Sequence, residues 1–132
     1  MKKNIVTLIL VLSAYMLHAQ CASLDTVKAP ANYDNLHVVK VASDSLSTTF
    51  VIFIKNEVKL HKHNEHTENV IVLEGKGKMR LGDKEFIIEK GDHVFIPKGI
   101  PHSVKVMHKK GMKVMSIQSP YFDGKDREII NE

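Results

Sequence analysis

Glu57-Val58-Lys59-Leu60-His61-Lys62-His63-Asn64-Glu65-His66-Thr67-Glu68-Asn69-Val70-Ile71-Val72-Leu73-Glu74-Gly75 reads as two short β-strands joined by a polar turn. The runs Glu57 to His63 and Glu68 to Leu73 are rich in Val, Ile and Leu, and Gly75 punctuates the end of the second. Such runs bounded by turn residues are strand and hairpin signals. The same texture extends to either side: His37 to Ala42 and Thr48 to Ile54 come before, and Lys76 to Leu81, Glu85 to Ile88, Val94 to Ile96, His102 to Met107 and Met112 to Gln118 follow. Gly82 with Asp83, Gly91 with Asp92, and Pro97 with Gly99 separate them, where a positive or fixed φ is useful. Nine short segments without helical periodicity predict an all-β sandwich or barrel. Gly75-Lys76-Gly77 is expected to be a turn rather than a phosphate loop, because no helix follows whose N-terminus could hold phosphate.

The chemistry of the quoted stretch lies in its histidines. Alternation puts His61 and His63 on one face of a strand, about 7 Å apart, and a hairpin through Asn64 to Thr67 returns Glu68 beside them. Imidazole plus carboxylate suits a first-row divalent ion such as Mn, Fe, Ni, Co or Zn. Ordinary strand packing does not ask for three such groups on one side. Glu65 and His66, on the turn, are expected to be solvated, and His37 and His108 to lie on the surface. Strict alternation leaves a difficulty, since it places Glu57 and Lys59 on the face of His61 and turns Val58 and Leu60 away. Either that end of the interior is polar or a bulge shifts the register. Val70 and Val72 share the face of Glu68, and Val104 and Val106 that of His102, which would give the ion an apolar surround. Ile71, Leu73, Ile87 and Ile96 then face the other way and need cover from a second layer or a partner subunit, so a homodimer is expected.

His61 and His63, four residues, Glu68, six residues and Gly75 resemble the first motif of the cupin family. Gly91, five residues, Pro97, Gly99, two residues and His102 resemble the second. The fifteen residues between Gly75 and Gly91 suffice for the two intervening strands of a small cupin. The resemblance covers about Thr48 to Gln118. It implies a single jelly-roll barrel in which His61, His63, Glu68 and His102 hold one divalent transition metal ion, with open positions for substrate or water. Val106 stands where the second motif often ends in Asn. Because members of the family share barrel and ion but differ in reaction, the resemblance implies either a metal-dependent enzyme (dioxygenase, isomerase or lyase) on a small oxygen-rich metabolite, or a non-catalytic periplasmic binder of a sugar or carboxylate. The general base an enzyme would need is not assigned by the motifs. Glu65, His66 and His93 are the candidates, with His93 expected inward in a structural role, and Tyr33 and Tyr121 lie outside the motifs.

The ends of the chain bear on location and partners. Lys2 and Lys3 precede an apolar run from Ile5 to Leu12, and no charge interrupts Asn4 to Leu24, which is the layout of a secretory signal peptide cut after Ala19. Four units are therefore expected: signal peptide 1–19, extension 20–36, barrel 37–122 and a polar tail 123–132, either mobile or a short edge element. Export to the periplasm or outside the cell follows. Membrane attachment would follow only from lipidation of Cys21, and Gln20 fits an acylation signal poorly. This lone cysteine excludes an internal disulfide and a zinc knuckle. Without Lys2 and Lys3 the chain has 17 basic against 15 acidic residues, spread along its length. That distribution argues against nucleic acid, and the small-molecule ligand or substrate is what the cupin resemblance implies. There is no Gly-x-Ser-x-Gly elbow, and Cys21 is remote in sequence from the histidine motifs, so nucleophilic catalysis has no assembled candidate.

Overall fold

The computed structural model describes residues 21–131; the expected signal peptide lies outside them. After a 3-10 turn at Leu24–Thr26 come ten strands: β1 (Leu36–Ser43), β2 (Thr48–Ile54), β3 (Glu57–Lys62), β4 (Thr67–Glu74), β5 (Lys76–Leu81), β6 (Lys84–Glu89), β7 (His93–Ile96), β8 (His102–Val106), β9 (Met112–Ser119) and β10 (Glu128–Ile129). They form two five-stranded antiparallel sheets, ordered β1-β2-β9-β4-β7 and β10-β3-β8-β5-β6. The architecture is all-β and has the two-sheet form of a jelly roll. Among the described residues no helix is long and apolar enough to cross a membrane.

The inner faces meet in a core of Ile54, Val72, Met79, Ile88, Val94, Ile96, Val104, Met112 and Val114. Ile96 belongs to this core and is 1 % exposed, not turned outward as alternation along its own short run suggested. Pairing decides its side: Ile96 stands opposite Glu68 across β4 and β7, and residues opposite each other in an antiparallel pair share a face. The same ladder sets Ile71 opposite His93, which sends that histidine outward, exposed and hydrogen-bonded to Asn69, so the inward placement expected for it is corrected. Phe95 takes the outer position beside it, 52 % exposed.

Residues 21–35 cover part of the outer face of the first sheet. Tyr33 stacks against His37 and His37 against Phe53, and the buried Lys113 donates from Nζ to the Leu24 carbonyl at 2.6 Å. Gly77 lies inside β5 and forms no turn. A Cβ there would stand 2.6 Å from Met112 Sδ and 2.8 Å from Val104 Cγ2, so the residue is small because Met112 of the opposite sheet and Val104 of the neighbouring strand occupy its side-chain space. Gly75, which does turn the chain, has φ +90° and lies against the Gly111 carbonyl.

The difficulty on β3 is resolved by a bulge. Val58 pairs with Val104 but His61 with His102, so one extra residue intervenes on β3. Val58 and His61 both face the interior, while Glu57 and Lys59 are exposed.

Candidate metal centre

Three strands deliver four polar side chains to one end of the barrel. His61 is on β3, with His63 one residue past its end, Glu68 on β4 and His102 at the start of β8. All four are buried, at 4–6 % exposure. The ring centroids of His61 and His102 are 4.2 Å apart, those of His61 and His63 5.0 Å, and those of His63 and His102 5.3 Å. One nitrogen from each of the three rings falls within 4.8 Å of the others, the spacing at which three imidazoles converge on one ion.

The rings are oriented by the backbone. His61 Nδ1 donates to the Lys59 carbonyl at 2.8 Å, His102 Nδ1 to the Ile100 carbonyl at 3.0 Å, and His63 Nδ1 to the Asp126 carbonyl. A neutral imidazole carries one N–H, and with Nδ1 donating, Nε2 keeps a lone pair. His63 Nε2 and His102 Nε2 have no hydrogen-bond partner and lie 3.5 and 3.3 Å from Glu68 Oε2. The other carboxylate oxygen, Oε1, accepts a hydrogen bond from Ser116. Two lone pairs thus face a carboxylate oxygen in a buried space, acceptor against acceptor, an arrangement that a cation between them would stabilise. This donor set fits a divalent transition ion.

The protonation behaviour carries the same imprint. Burial lowers the His61 pKa to about 3, helped by the neighbouring His102. Burial also works against the charged form of His63, yet its pKa is raised, because the adjacent Glu68 carboxylate and the Asp126 carbonyl that accepts from Nδ1 outweigh desolvation. Burial pushes the Glu68 carboxyl up, but the adjacent His102 and His63 rings and the Ser116 hydroxyl hold it well below the usual carboxylate range.

The polar tail supplies groups that sequence reasoning missed. Residues 123–131 cross the open end as a strap, and β10 pairs with β3, Ile129 opposite His61. Asp126 is its anchor: the carboxylate accepts from the Asn64 and Glu65 amides at 2.8 Å each and from His66 Nδ1 at 2.6 Å. Burial raises the Asp126 pKa, but these hydrogen bonds, that of His66 foremost, bring it down to about 2. His66 is therefore not the solvated group expected of a turn residue. It is 7 % exposed, and its Nε2 lies 2.9 Å from the Tyr121 carbonyl. Glu65 is exposed, as expected. Phe122 packs edge-on against His63 and His66, at 5.6 and 5.0 Å between centroids.

Beneath the histidines lies a cavity of about 280 Å³. Its walls are mostly aliphatic, among them Ile52, Val58, Val70, Ile96, Val104 and Val114, with Phe50 and Phe122. The four central residues, Ser103, Gln118 and Arg127 are its polar groups. Of the four valines the strand pattern set around the ion, Val70 and Val104 line the cavity, while Val72 lies in the core and Val106 packs against it. Glu65, His93, Tyr33 and Tyr121 do not reach it.

A family model described as the cupin domain matches residues 50–118. An uncharacterized protein of Aquifex aeolicus is 33% identical over 93 residues, 70% of this chain and 76% of that protein. Among solved structures, a Klebsiella pneumoniae protein with a double-stranded β-helix domain superposes with a TM-score of 0.72 at 17% identity, covering 87% of this chain and 100% of that one. A predicted oxalate decarboxylase from Thermotoga maritima superposes with a TM-score of 0.60 at 20% identity, covering 64% of this chain and 80% of that one.

Proposed function

The chain belongs to the cupin domain family, and on that premise we propose that it is a metal-dependent enzyme acting on a small metabolite whose oxygen atoms face the histidines while its carbon body fills the apolar cavity. His61, His63, His102 and Glu68 would hold the ion, one of Mn, Fe, Ni, Co or Zn. The observation that carries this reading is the pair of partnerless Nε2 atoms set against Glu68 Oε2. A divalent ion bound there supplies Lewis acidity toward an oxygen donor of the substrate.

The protein's own groups do the rest. The Lys59, Ile100 and Asp126 carbonyls fix the ring orientations, Ser116 fixes Glu68, and the aliphatic walls keep water from the reacting end. No side chain lining the described cavity, other than the four proposed ligands, is a carboxylate or an imidazole able to act as general base. This observation favours reactions in which the substrate or a ligand group carries the proton, and it supports the second reading, a non-catalytic binder of a carboxylate. A sugar fits poorly, because its hydroxyls would lose water against aliphatic walls. Metal analysis of the purified protein and of a His61→Ala, His63→Ala variant tests the centre: the first is expected to carry close to one ion per chain and the second almost none, and equal contents would sink the reading.

Export and assembly belong to the same proposal. Lys2 to Ala19 directs the chain out of the cytoplasm, where it works as a soluble periplasmic or secreted protein, with a lipid anchor only if the exposed Cys21 is acylated. Phe95, 52 % exposed on the outside of the first sheet, favours a homodimer. Cell fractionation and light scattering check these two points.

A further inference from the structure

Arg127 is the only cationic side chain apart from the histidines among the described residues lining the cavity, and it reaches the cavity from the strap. The strap is held in register at Glu128 opposite Lys62 and Ile129 opposite His61, and by Asp126 clasping the turn after β3. Each acidic group nearby is already engaged. Asp126 binds His66 and two amides, Glu128 binds Lys62 and Asn64, and Asp123 lies with Lys125. Glu68 turns one oxygen to Ser116 and the other to two histidines. Among the described residues the Arg127 guanidinium therefore takes part in no hydrogen bond or ion pair. It is exposed to solvent on one side and faces the cavity on the other.

We infer that Arg127 recognises the carboxylate of a small monocarboxylate ligand whose apolar body occupies the aliphatic cavity. This rests on the proposed reading of the cavity as the ligand site beside the metal centre, and it names the ligand class. A planar guanidinium pairs with a planar carboxylate through two parallel N–H···O bonds, and such pairs strengthen where water is scarce. Water is scarce on the side of Arg127 that faces the aliphatic walls, and partial burial lowers its pKa while the charge of Glu68 opposes that shift. The walls select the remainder of the molecule. Hydrocarbon loses nothing by leaving water for Ile52, Val58 and Ile96, whereas a dianionic phosphate would shed the hydration of two charges against one counter-charge. A cavity of about 280 Å³ is small for a ligand site and limits the body to a short chain or a single ring.

The test is calorimetric titration of hexanoate and of benzoate into the metal-loaded protein and into the metal-free protein, for the unmodified chain, Arg127→Gln and Arg127→Lys, with hexan-1-ol as the neutral control. Binding of at least one carboxylate to the unmodified chain is expected, weakened at least tenfold in Arg127→Gln and less in Arg127→Lys. Affinity for hexan-1-ol should be alike in all three. Metal content and melting temperature, measured separately, should be unchanged by either substitution, which keeps a folding defect apart from a lost contact. Equal carboxylate affinity in the unmodified and Gln forms, or no binding of either carboxylate to the unmodified chain, overturns the inference. A chain that takes up no metal yet loses carboxylate affinity in Arg127→Gln overturns the metal reading and upholds this one.

Discussion

A single hydroxyl holds Glu68 in place. Ser116 is fully buried on β9 and donates to Glu68 Oε1. Ser116→Ala is expected to lower metal affinity about tenfold, the usual effect of deleting a group that orients a ligand. The loss of this donor from a buried carboxylate should also cost about 1–3 kcal/mol of stability. Competitive metal titration and urea denaturation check the two effects, and unchanged affinity would show that Glu68 is positioned by other means. His61, His63 and Glu68 were legible from strand alternation and the hairpin, whereas His102 joined them only through the resemblance to the cupin motifs. Ser116 was not legible, because its partner lies 48 positions away and nothing local distinguishes it from any polar residue on a strand. Ile96 and His93 were assigned the wrong sides for a related reason. A four-residue strand carries too little alternation to fix its face, and the register against β4 that does fix it is a tertiary fact.

Among the elements, β3 and the strap decide the shape of the site. All nine expected strands form, because Val, Ile and Phe runs between turn residues state their own boundaries. The strap was legible only as an alternative. Residues 123–132 are polar, and polarity reads equally as mobility or as an edge strand. What settles it is Asp126, whose partners Asn64, Glu65 and His66 are about sixty positions away in sequence. Asp126→Ala should therefore loosen the whole strap. A fall in melting temperature of several degrees is expected, with increased proteolytic nicking after residue 122 and weaker metal binding through His63, whose Nδ1 acceptor is the Asp126 carbonyl. Limited proteolysis with mass spectrometry reads the nicking directly. Asp126→Asn keeps one acceptor oxygen and should fall between the two, so a result in which Asn is as damaging as Ala would locate the effect in charge rather than in hydrogen bonding.

For the molecule as a whole, stability should depend on what cation occupies the centre. An ion that binds the folded chain alone adds about 2.7 kcal/mol when its free concentration is a hundred times Kd, so chelation should lower the melting temperature by several degrees. Acid should act in the same direction on the metal-free protein. Unfolded, His61 takes up a proton near 6.5; folded, it refuses one until about 3, so the unfolded chain binds more protons throughout that window and gains on acidification. The lowered pKa of Glu68 gives stability present above its ordinary 4.5 and lost as pH falls. His63 opposes these, since its raised pKa gives stability present below 6.5 and lost as pH rises through its folded value. The His61 displacement is the larger, and the net expectation is a lower melting temperature at about pH 5 than at about pH 7.5, measured with chelator present. An unchanged or higher midpoint at the lower pH would show that His61 is not kept neutral. The opposition of His63 Nε2 and Glu68 Oε2 also bears on the proton inventory of the molecule. With no ion bound, a proton on His63, whose pKa is raised, would reconcile the two acceptors, and an arriving divalent ion would have to displace it. Loading then releases acid, the heat of binding varies with the ionisation enthalpy of the buffer, and the local acidity of the compartment sets how readily the protein fills.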